Sequence, residues 1–313
     1  MFREPNMNTL APTVVEPLLR PPPPTSPPPP PPSHTSLHGH YVTERVKNAV
    51  DGCVNVFVDA GASIGVHTRF LFEPAFYNDS KFVAVFDRVF GVDRNLTCSL
   101  GFEPNPIHKA RHEKMQRVYA RMGWRYTFFP MALGTASEEL VFHENGDFED
   151  NGKDNEYWGF GVTNFNEAFR GASNRTGQNL IVRVPSVSFD EILSQISRRA
   201  MPSIHPRGRV IVKMDIEGLE FAVVPQVVAS GNLCRVVDWI SVEWHPKLAP
   251  LRLHSNQRLH LDTILNAQTT ASVLKGAIKD GLRAAGCRTE VRPMDDESYL
   301  HDRVPLPVLG GAL

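Results

Sequence analysis

The stretch Val56-Phe57-Val58-Asp59-Ala60-Gly61-Ala62-Ser63-Ile64-Gly65-Val66-His67-Thr68 reads as a buried strand, a glycine turn and the opening of a helix. Three apolar residues in a row suit a strand that is covered on both faces. Gly61 lets the chain turn tightly after the strand, and Gly65 lets the helix start approach a ligand. A dinucleotide-binding turn would read G-x-G-x-x-G, whereas this one reads D-x-G-x-x-x-G. The pyrophosphate-binding turn is therefore missing, and Asp59 stands where a phosphate would be repelled. An acid at that place suits a ligand carrying positive charge.

Outward from this turn, short apolar runs alternate with helical patterns. Strands are expected at Cys98 to Phe102, Tyr126 to Phe129, Val210 to Met214 and Trp239 to Val242. Helices are expected over Ile107 to Met122, Phe189 to Arg199 and Leu219 to Ala229. A last helix from about Ile264 to Ala285 and a strand from Cys287 to Arg292 would close the sheet edge. Strands rich in Val, Ile and Phe with helices between them predict an α/β fold, a doubly wound and mostly parallel sheet with right-handed crossovers. Two stretches break the rhythm. Phe72 to Thr97 is too long for a simple crossover and reads as an inserted loop or an extended helix. Phe142 to Thr176 is polar, with turn signals at Asn145-Gly146 and Asn151-Gly152, and suits a lid or binding loop. Its aromatics Tyr157, Trp158, Phe160 and Phe165 would either floor a substrate cleft or pack a small hairpin.

Ligands of such sheets bind at the carboxyl ends of the strands, and acidic residues gather there. Gly101-Phe102-Glu103-Pro104-Asn105-Pro106 ends the second strand with a carboxylate that can accept two ribose hydroxyls, or that merely caps the helix following it. Lys213-Met214-Asp215-Ile216-Glu217-Gly218-Leu219-Glu220 puts Asp215 and Glu217 at the end of the fourth strand. Glu243-Trp244-His245-Pro246 closes the fifth, where Glu243 and His245 point to the same side of an extended chain.

Taken together, these motifs resemble the FkbM-type methyltransferases. The resemblance rests on Gly61-Ala62-Ser63-Ile64-Gly65 with Thr68, the Phe102-to-Pro106 turn, Ala132-Leu133-Gly134, Ser188-Phe189-Asp190, the Lys213-to-Glu220 block and Glu243-x-His245. It covers Val54 to Pro246 and extends more weakly to Arg292. It implies the class I methyltransferase (Rossmann-like) fold, S-adenosylmethionine as cofactor, and a methyl group moved onto a hydroxyl of a glycan or small metabolite. Cofactor contacts would come from Asp59, Gly61, Ala62, Ser63, Gly65, Thr68, Glu103, Asn105, Ala132 and Asp215. The sequence departs from the pattern at Ser63, where Asn is usual, at Pro225, where Gly is common, and in its two long insertions.

An alcohol is a poor nucleophile at neutral pH, so a nearby base should help by about 10²–10⁴-fold. His245 is the first candidate, since an unperturbed histidine titrates at roughly 6.5, and Asp215 is the second. Glu217 and Glu243 would orient His245 or bind substrate hydroxyls. The same four side chains could instead gather a divalent ion, although nothing in the sequence fixes a coordination geometry, and no metal is expected. His245 could also be a structural histidine ahead of a proline turn.

Composition excludes several other classes. Of the 313 residues 42% are hydrophobic and 21% charged, the net charge is −1, and no apolar run is long enough to cross a bilayer. The basic residues Lys109, Arg111, Lys114, Arg117, Arg121 and Arg125 fall mostly on the solvent side of an amphipathic helix, so no nucleic-acid partner is expected. Residues 1–40, with the proline tract from Pro21 to Pro32, should form a disordered or polyproline II tail, either an inert linker or a ligand for SH3 or WW domains. The methyltransferase domain should occupy 41–300, with 301–313 a tail or edge strand. A catalytically silent module acting through the proline tract is the alternative to an enzyme. Cys53, Cys98, Cys234 and Cys287 show no metal-binding spacing and are expected as free buried thiols. Asn78, Asn95 and Asn174 stand in N-x-S/T sequences, of which about two would arise by chance. With no signal-like segment at the start, a cytoplasmic chain is the first expectation, and a secretory one the second.

Overall fold

The computed structural model describes residues 34–145, 160–162, 179–203, 208–245, 248, 261–294, 296, 298–299 and 301–308. From the amino end, α1 (His34–Val50) leads into β1 (Asn55–Ala60), α2 (Val66–Phe72), α3 (Lys81–Phe90), β2 (Thr97–Phe102), α4 (Lys109–Arg121) and β3 (Arg125–Phe129). There follow β4 (Ala132–Gly134), β5 (Glu139–Asn145), β6 (Phe160–Gly161), β7 (Asn179–Ser188) and α5 (Phe189–Ser197). The remainder is β8 (Val210–Met214), α6 (Glu220–Ala229), α7 (Asn232–Val236), β9 (Trp239–Val242), α8 (Leu261–Ala284) and β10 (Glu290–Arg292).

Six of these strands form one sheet in the order β10-β9-β8-β1-β2-β3, and every neighbouring pair is parallel. The apolar runs explain it. All six residues of β1 are buried, because helices cover both faces. Val56 and Val58 point into the core shared with α1, α5 and α6, whereas Phe57 points into the other, aromatic-rich core under α2, α3 and α4. The same alternation runs through β8, with Val210 and Val212 on the first side and Ile211 on the second. Each such side chain contributes about 1.5–3 kcal/mol of burial. The α/β, doubly wound, parallel fold expected from the sequence is thus present.

The first insertion is structured. A tight turn at Pro74–Phe76 precedes α3, whose Ser80 cap accepts from the Phe82 amide at 3.1 Å, and Phe82 and Phe86 seal the aromatic core. The described part of the second insertion belongs to a small sheet of order β4-β7-β5-β6, in which β5 and β7 run antiparallel. Phe142 and Phe160 stack there with ring centroids 4.9 Å apart, so Phe160 packs this small sheet, while Tyr157, Trp158 and Phe165 lie outside the described residues.

Other expectations need adjustment. Helix α1 takes in residues 34–40 of the segment expected as tail; the rest of that segment, with the proline tract, lies outside the described residues. Residues 301–308 form no strand. Asp302 instead reaches back to α2, where its buried carboxylate accepts from Arg69 at 2.6 Å and from Tyr77 at 2.9 Å. The cysteines are not free thiols: Cys53 is bonded to Cys98 and Cys234 to Cys287. Spacing hid those pairs, since 45 and 53 residues separate the partners. On α4, Lys109, Lys114, Arg117 and Arg121 are exposed as expected, but Arg111 turns inward to the Ile64 carbonyl, and Arg125, which opens β3 rather than ending the helix, turns inward to the Ala49 carbonyl. No helix among the described residues is long and apolar enough to cross a membrane.

Candidate active site

Strand order reverses at β1: β2 and β3 lie to one side of it, β8, β9 and β10 to the other. Loops leaving β1 and β8 therefore diverge and open a crevice at the carboxyl edge. A cavity of about 170 Å³ sits there, between Gly61–Ile64, Glu103–Asn105, Asp215–Glu217 and the pair Glu243 and His245. Ala132, Leu133, Phe142 and Phe160 add an apolar wall.

The β1–β2 wall is held by backbone groups. Gly61 has φ 75°, and a Cβ there would lie 1.7 Å from the Asp215 carbonyl oxygen, so only glycine fits. Ser63 also has a left-handed φ, 46°, a region that the usual Asn tolerates better. Three bonds hold it and its neighbour: the Ser63 amide donates to Glu103 Oε2, His112 Nε2 meets the Ser63 carbonyl, and Arg111 Nε donates to the Ile64 carbonyl, each at 2.7 Å. Glu103 Oε1 accepts from the Asn105 amide at 2.7 Å, and Asn105 Oδ1 caps the next turn by accepting from the Ile107 amide at 3.1 Å. So the helix-capping role considered for Glu103 falls to Asn105, while Glu103 ties the glycine turn to the end of β2. Burial pushes the Glu103 carboxyl up to about 8, against the pull of the Asn105 and Ser63 amides.

Asp59 lies beneath the turn, fully buried, on the same sheet face as its register partner Lys213. Desolvation pushes its carboxyl up to about 7, although the Lys213 charge opposes this. Among the described residues neither of its oxygens has a hydrogen-bond partner, and nor does Nε2 of His67, which lines the cavity. The nearest approach of the two side chains is 4.0 Å. Thr68 does not join the set: its buried hydroxyl bonds Ser99 at 2.9 Å, and it does not line the cavity. Gly61, Ala62, Ser63, Glu103, Asn105, Ala132 and Asp215 do line it; Gly65 shapes the turn behind.

The β8–β9 wall is held by side chains. Lys213, a buried lysine inside an apolar strand, donates to Asp215 Oδ2 at 2.8 Å and to the Gly61 carbonyl at 3.3 Å, joining the two walls. Glu220, buried in the first turn of α6, accepts from the amides of Ile216 and Gly218, both at 2.8 Å, and so fixes the loop carrying Glu217. His245 meets Glu220 through Nδ1 at 3.1 Å and Glu243 through Nε2 at 3.2 Å, with Asp215 at 3.7 Å and Glu217 at 4.0 Å. Burial alone would lower the histidine, but the bonds to Glu220 and Glu243 and the surrounding charges push it up to about 11. It is an imidazolium at neutral pH. Burial, then the charge of Asp215, pushes Glu217 up to about 8 despite the imidazolium. Asp215 is desolvated too, yet Lys213 and His245 hold it below the usual carboxylate range. One atom each from Asp215, Glu217 and His245 lies within 4.8 Å of the others, a spacing a divalent ion could use. The two short bonds to Glu220 and Glu243, however, occupy both imidazole nitrogens.

The sequence motif by itself assigns no role to Lys213 or Glu220. A lysine in the middle of Val210-Ile211-Val212-Lys213-Met214 is the one local signal for the first. Arg111 and His112 gave none, because their partners in the glycine turn are more than forty residues away.

Residues 59–267 match the Methyltransferase FkbM domain. Among solved structures, the methyltransferase FkbM from Methylobacillus flagellatus KT is similar over 70% of this chain and 38% of that one, at 14% identity and a TM-score of 0.32. This chain therefore spans well under half the length of that relative. No curated protein matches it.

Proposed function

The chain belongs to the FkbM methyltransferase family, and on that premise we propose that it takes a methyl group from S-adenosylmethionine and places it on a hydroxyl of a glycan or small metabolite. The observation that carries this reading is the cavity at the strand-order reversal, with the burial-raised carboxyl of Glu103 on one wall, that of Asp59 beneath it, and a protonatable acidic cluster on the other wall.

The residues fit the cofactor on three counts. The turn at Gly61–Gly65 has no phosphate-binding glycine pattern and lies over the acidic Asp59. Nε2 of His67, a buried polar atom on the cavity lining, lacks a partner among the described residues, which a ligand rich in donors and acceptors would supply. Glu103 and Asp59 gain when a cation enters, because their ionised forms are then compensated. Gly61, Ala62, Ser63 and Asn105 would surround the ligand, Glu103 would take ribose hydroxyls on its remaining lone pairs, and Ala132 would face the base. When bound, the cofactor supplies a methyl group on a sulfonium, an electrophile that needs little further activation.

The acceptor hydroxyl still has to lose its proton. His245 was the first expectation for this task, but an imidazolium held by Glu220 and Glu243 has no lone pair to offer. Glu217 is the better choice. Burial pushes its carboxyl up to about 8, and a base does most when its pKa lies near the working pH. Asp215 is neutralised by Lys213 and serves to hold the two walls together. In this reading the hydroxyl proton passes to a Glu217 oxygen, while His245 keeps Glu243 and Glu220 in place. Positioning of this kind can be worth roughly 7–11 kcal/mol. The apolar wall of Phe142 and Phe160 would hold the carbon skeleton of the acceptor.

The test is transfer of labelled methyl from S-adenosylmethionine to a panel of sugars, polyols and amines by the full chain. Label on free hydroxyls, absent when those hydroxyls are blocked, supports the reading. Label found on amines or carboxyls alone contradicts it.

A further inference from the structure

Two features are left unused by the site: the paired cysteines and the N-x-S/T sequences. Cys53 follows α1 and Cys98 is the second residue of β2, with their Cα atoms 5.9 Å apart; for Cys234 in α7 and Cys287 ahead of β10 the distance is 5.1 Å. Both distances fall inside the range an undistorted bridge requires. No free cysteine remains among the four. In the chain-entropy view each bridge stabilises the fold by closing a loop, of 45 and 53 residues respectively, in the unfolded chain. Bridges of this kind persist where the surroundings are oxidising, and reducing compartments keep them open.

The sequences Asn78-Asp79-Ser80 and Asn95-Leu96-Thr97 both lie in the first insertion, while Asn174 lies outside the described residues. Asn78 and Asn95 are exposed. Asn78 follows the tight turn at Pro74–Phe76, and Asn95 precedes β2 by two residues, at the sheet edge opposite the cavity. Neither residue lines the cavity. By contrast, the hydroxyl residues of the two sequences are buried: Ser80 is bonded to Asp296 at 2.7 Å, and Thr97 is 1% exposed. A transferase that must reach those hydroxyls can act only before the chain folds, whereas the attached sugar afterwards projects into solvent.

We propose that the chain folds in an oxidising, glycan-adding compartment and carries N-linked glycans on Asn78 and Asn95. In the transfer, the side-chain amide nitrogen bonds to C1 of the first sugar, the bond from C1 to a lipid-linked pyrophosphate breaks, and the amide proton goes to the departing pyrophosphate. Each bridge forms when two thiols give two electrons and two protons to a disulfide oxidoreductase, which becomes a dithiol. This inference does not depend on the identity of the methyl acceptor.

The test uses the full-length protein from its own cells, alkylated without reductant, released from glycans by an amidase in ¹⁸O water and read by peptide mass spectrometry. Expected are no alkylated cysteine among the four, and ¹⁸O-labelled aspartate at positions 78 and 95. Asn78→Gln and Asn95→Gln should each remove one glycan step on a gel and leave methyl transfer unchanged. An unlabelled asparagine at one position overturns the assignment of that residue. Unlabelled asparagine at both, or alkylated cysteines in the unreduced protein, overturns the proposal.

Discussion

On the β1–β2 wall of the cavity, the Glu103 carboxylate is held by backbone amides; on the β8–β9 wall, Asp215, Glu217 and Glu243 are held by Lys213 and His245. The first arrangement fixes a shape, because amides neither titrate nor rotate away. The second fixes a charge state, because each group depends on the protonation of its neighbours. A site that must bind one constant ligand and move one proton has use for both kinds of wall.

Breaking the shape should have the largest effect. A Gly61→Ala variant puts a methyl group into the Asp215 carbonyl, which is backbone and has no room to give. It should lose about 3 kcal/mol or more in urea unfolding and lose cofactor binding altogether. In Gly65→Ala the new methyl meets the Met115 side chain at 2.6 Å, which can swing aside, and the His112 ring at 3.0 Å, which need give only slightly; with the left-handed φ of 82° added, the loss should be about 1–2 kcal/mol. Equal losses would mean that the turn is not wedged against the chain after β8.

Next comes the proton. Glu217→Gln should lower kcat by about 10²–10⁴-fold while leaving the cofactor dissociation constant unchanged. If turnover survives intact, Glu217 is not the base and the role returns to His245. The pH profile sharpens the same contrast. With Glu217 as base, kcat rises with pH around the raised value of about 8; an ordinary histidine base would place the midpoint near 6.5.

The smallest effect is on stability. The folded pKa of Glu217 is raised from 4.5 to about 8, so the folded protein holds that proton more tightly than the unfolded chain does. The stabilisation is fully present below about 4.5 and is lost as the pH rises through about 8. Glu217→Gln keeps a neutral group throughout. Its melting temperature relative to the parent should therefore climb between pH 5 and pH 8.5, by about 2–4 °C for each kcal/mol involved. A constant difference across that range would show that the carboxyl is not raised.

Much of this was legible in the sequence, for reasons that differ by region. The six-stranded sheet announced itself because β1, β2, β8 and β9 are covered on both faces and so read as short, mainly apolar runs rather than as alternating ones. Glycines and acids at the strand ends marked the cavity, since strand ends are where a parallel sheet exposes its loops. Strand β7 escaped notice because its partner β5 lies across a long polar insertion, and nothing local reveals an antiparallel pairing at that distance. Helix α1 is anchored by Val42, Val46 and Val50 at a spacing of four, a pattern overshadowed by the proline tract before it. The protonation of His245 was also beyond reach, because it depends on Glu220 folding back from α6. The buried network of Arg69 and Asp302 joins residues 233 apart, and no periodicity carries that information.

The central claim is that the β1–β2 wall is a preformed site for a cationic nucleoside cofactor. Calorimetric titration of S-adenosylmethionine into the full chain and its Glu103→Ala variant, both first shown to unfold cooperatively, tests it most directly. Saturable binding to the parent, weakened about 10–100-fold in the variant, is the predicted result. No heat of binding to the parent, or equal affinity in the two proteins, would contradict it.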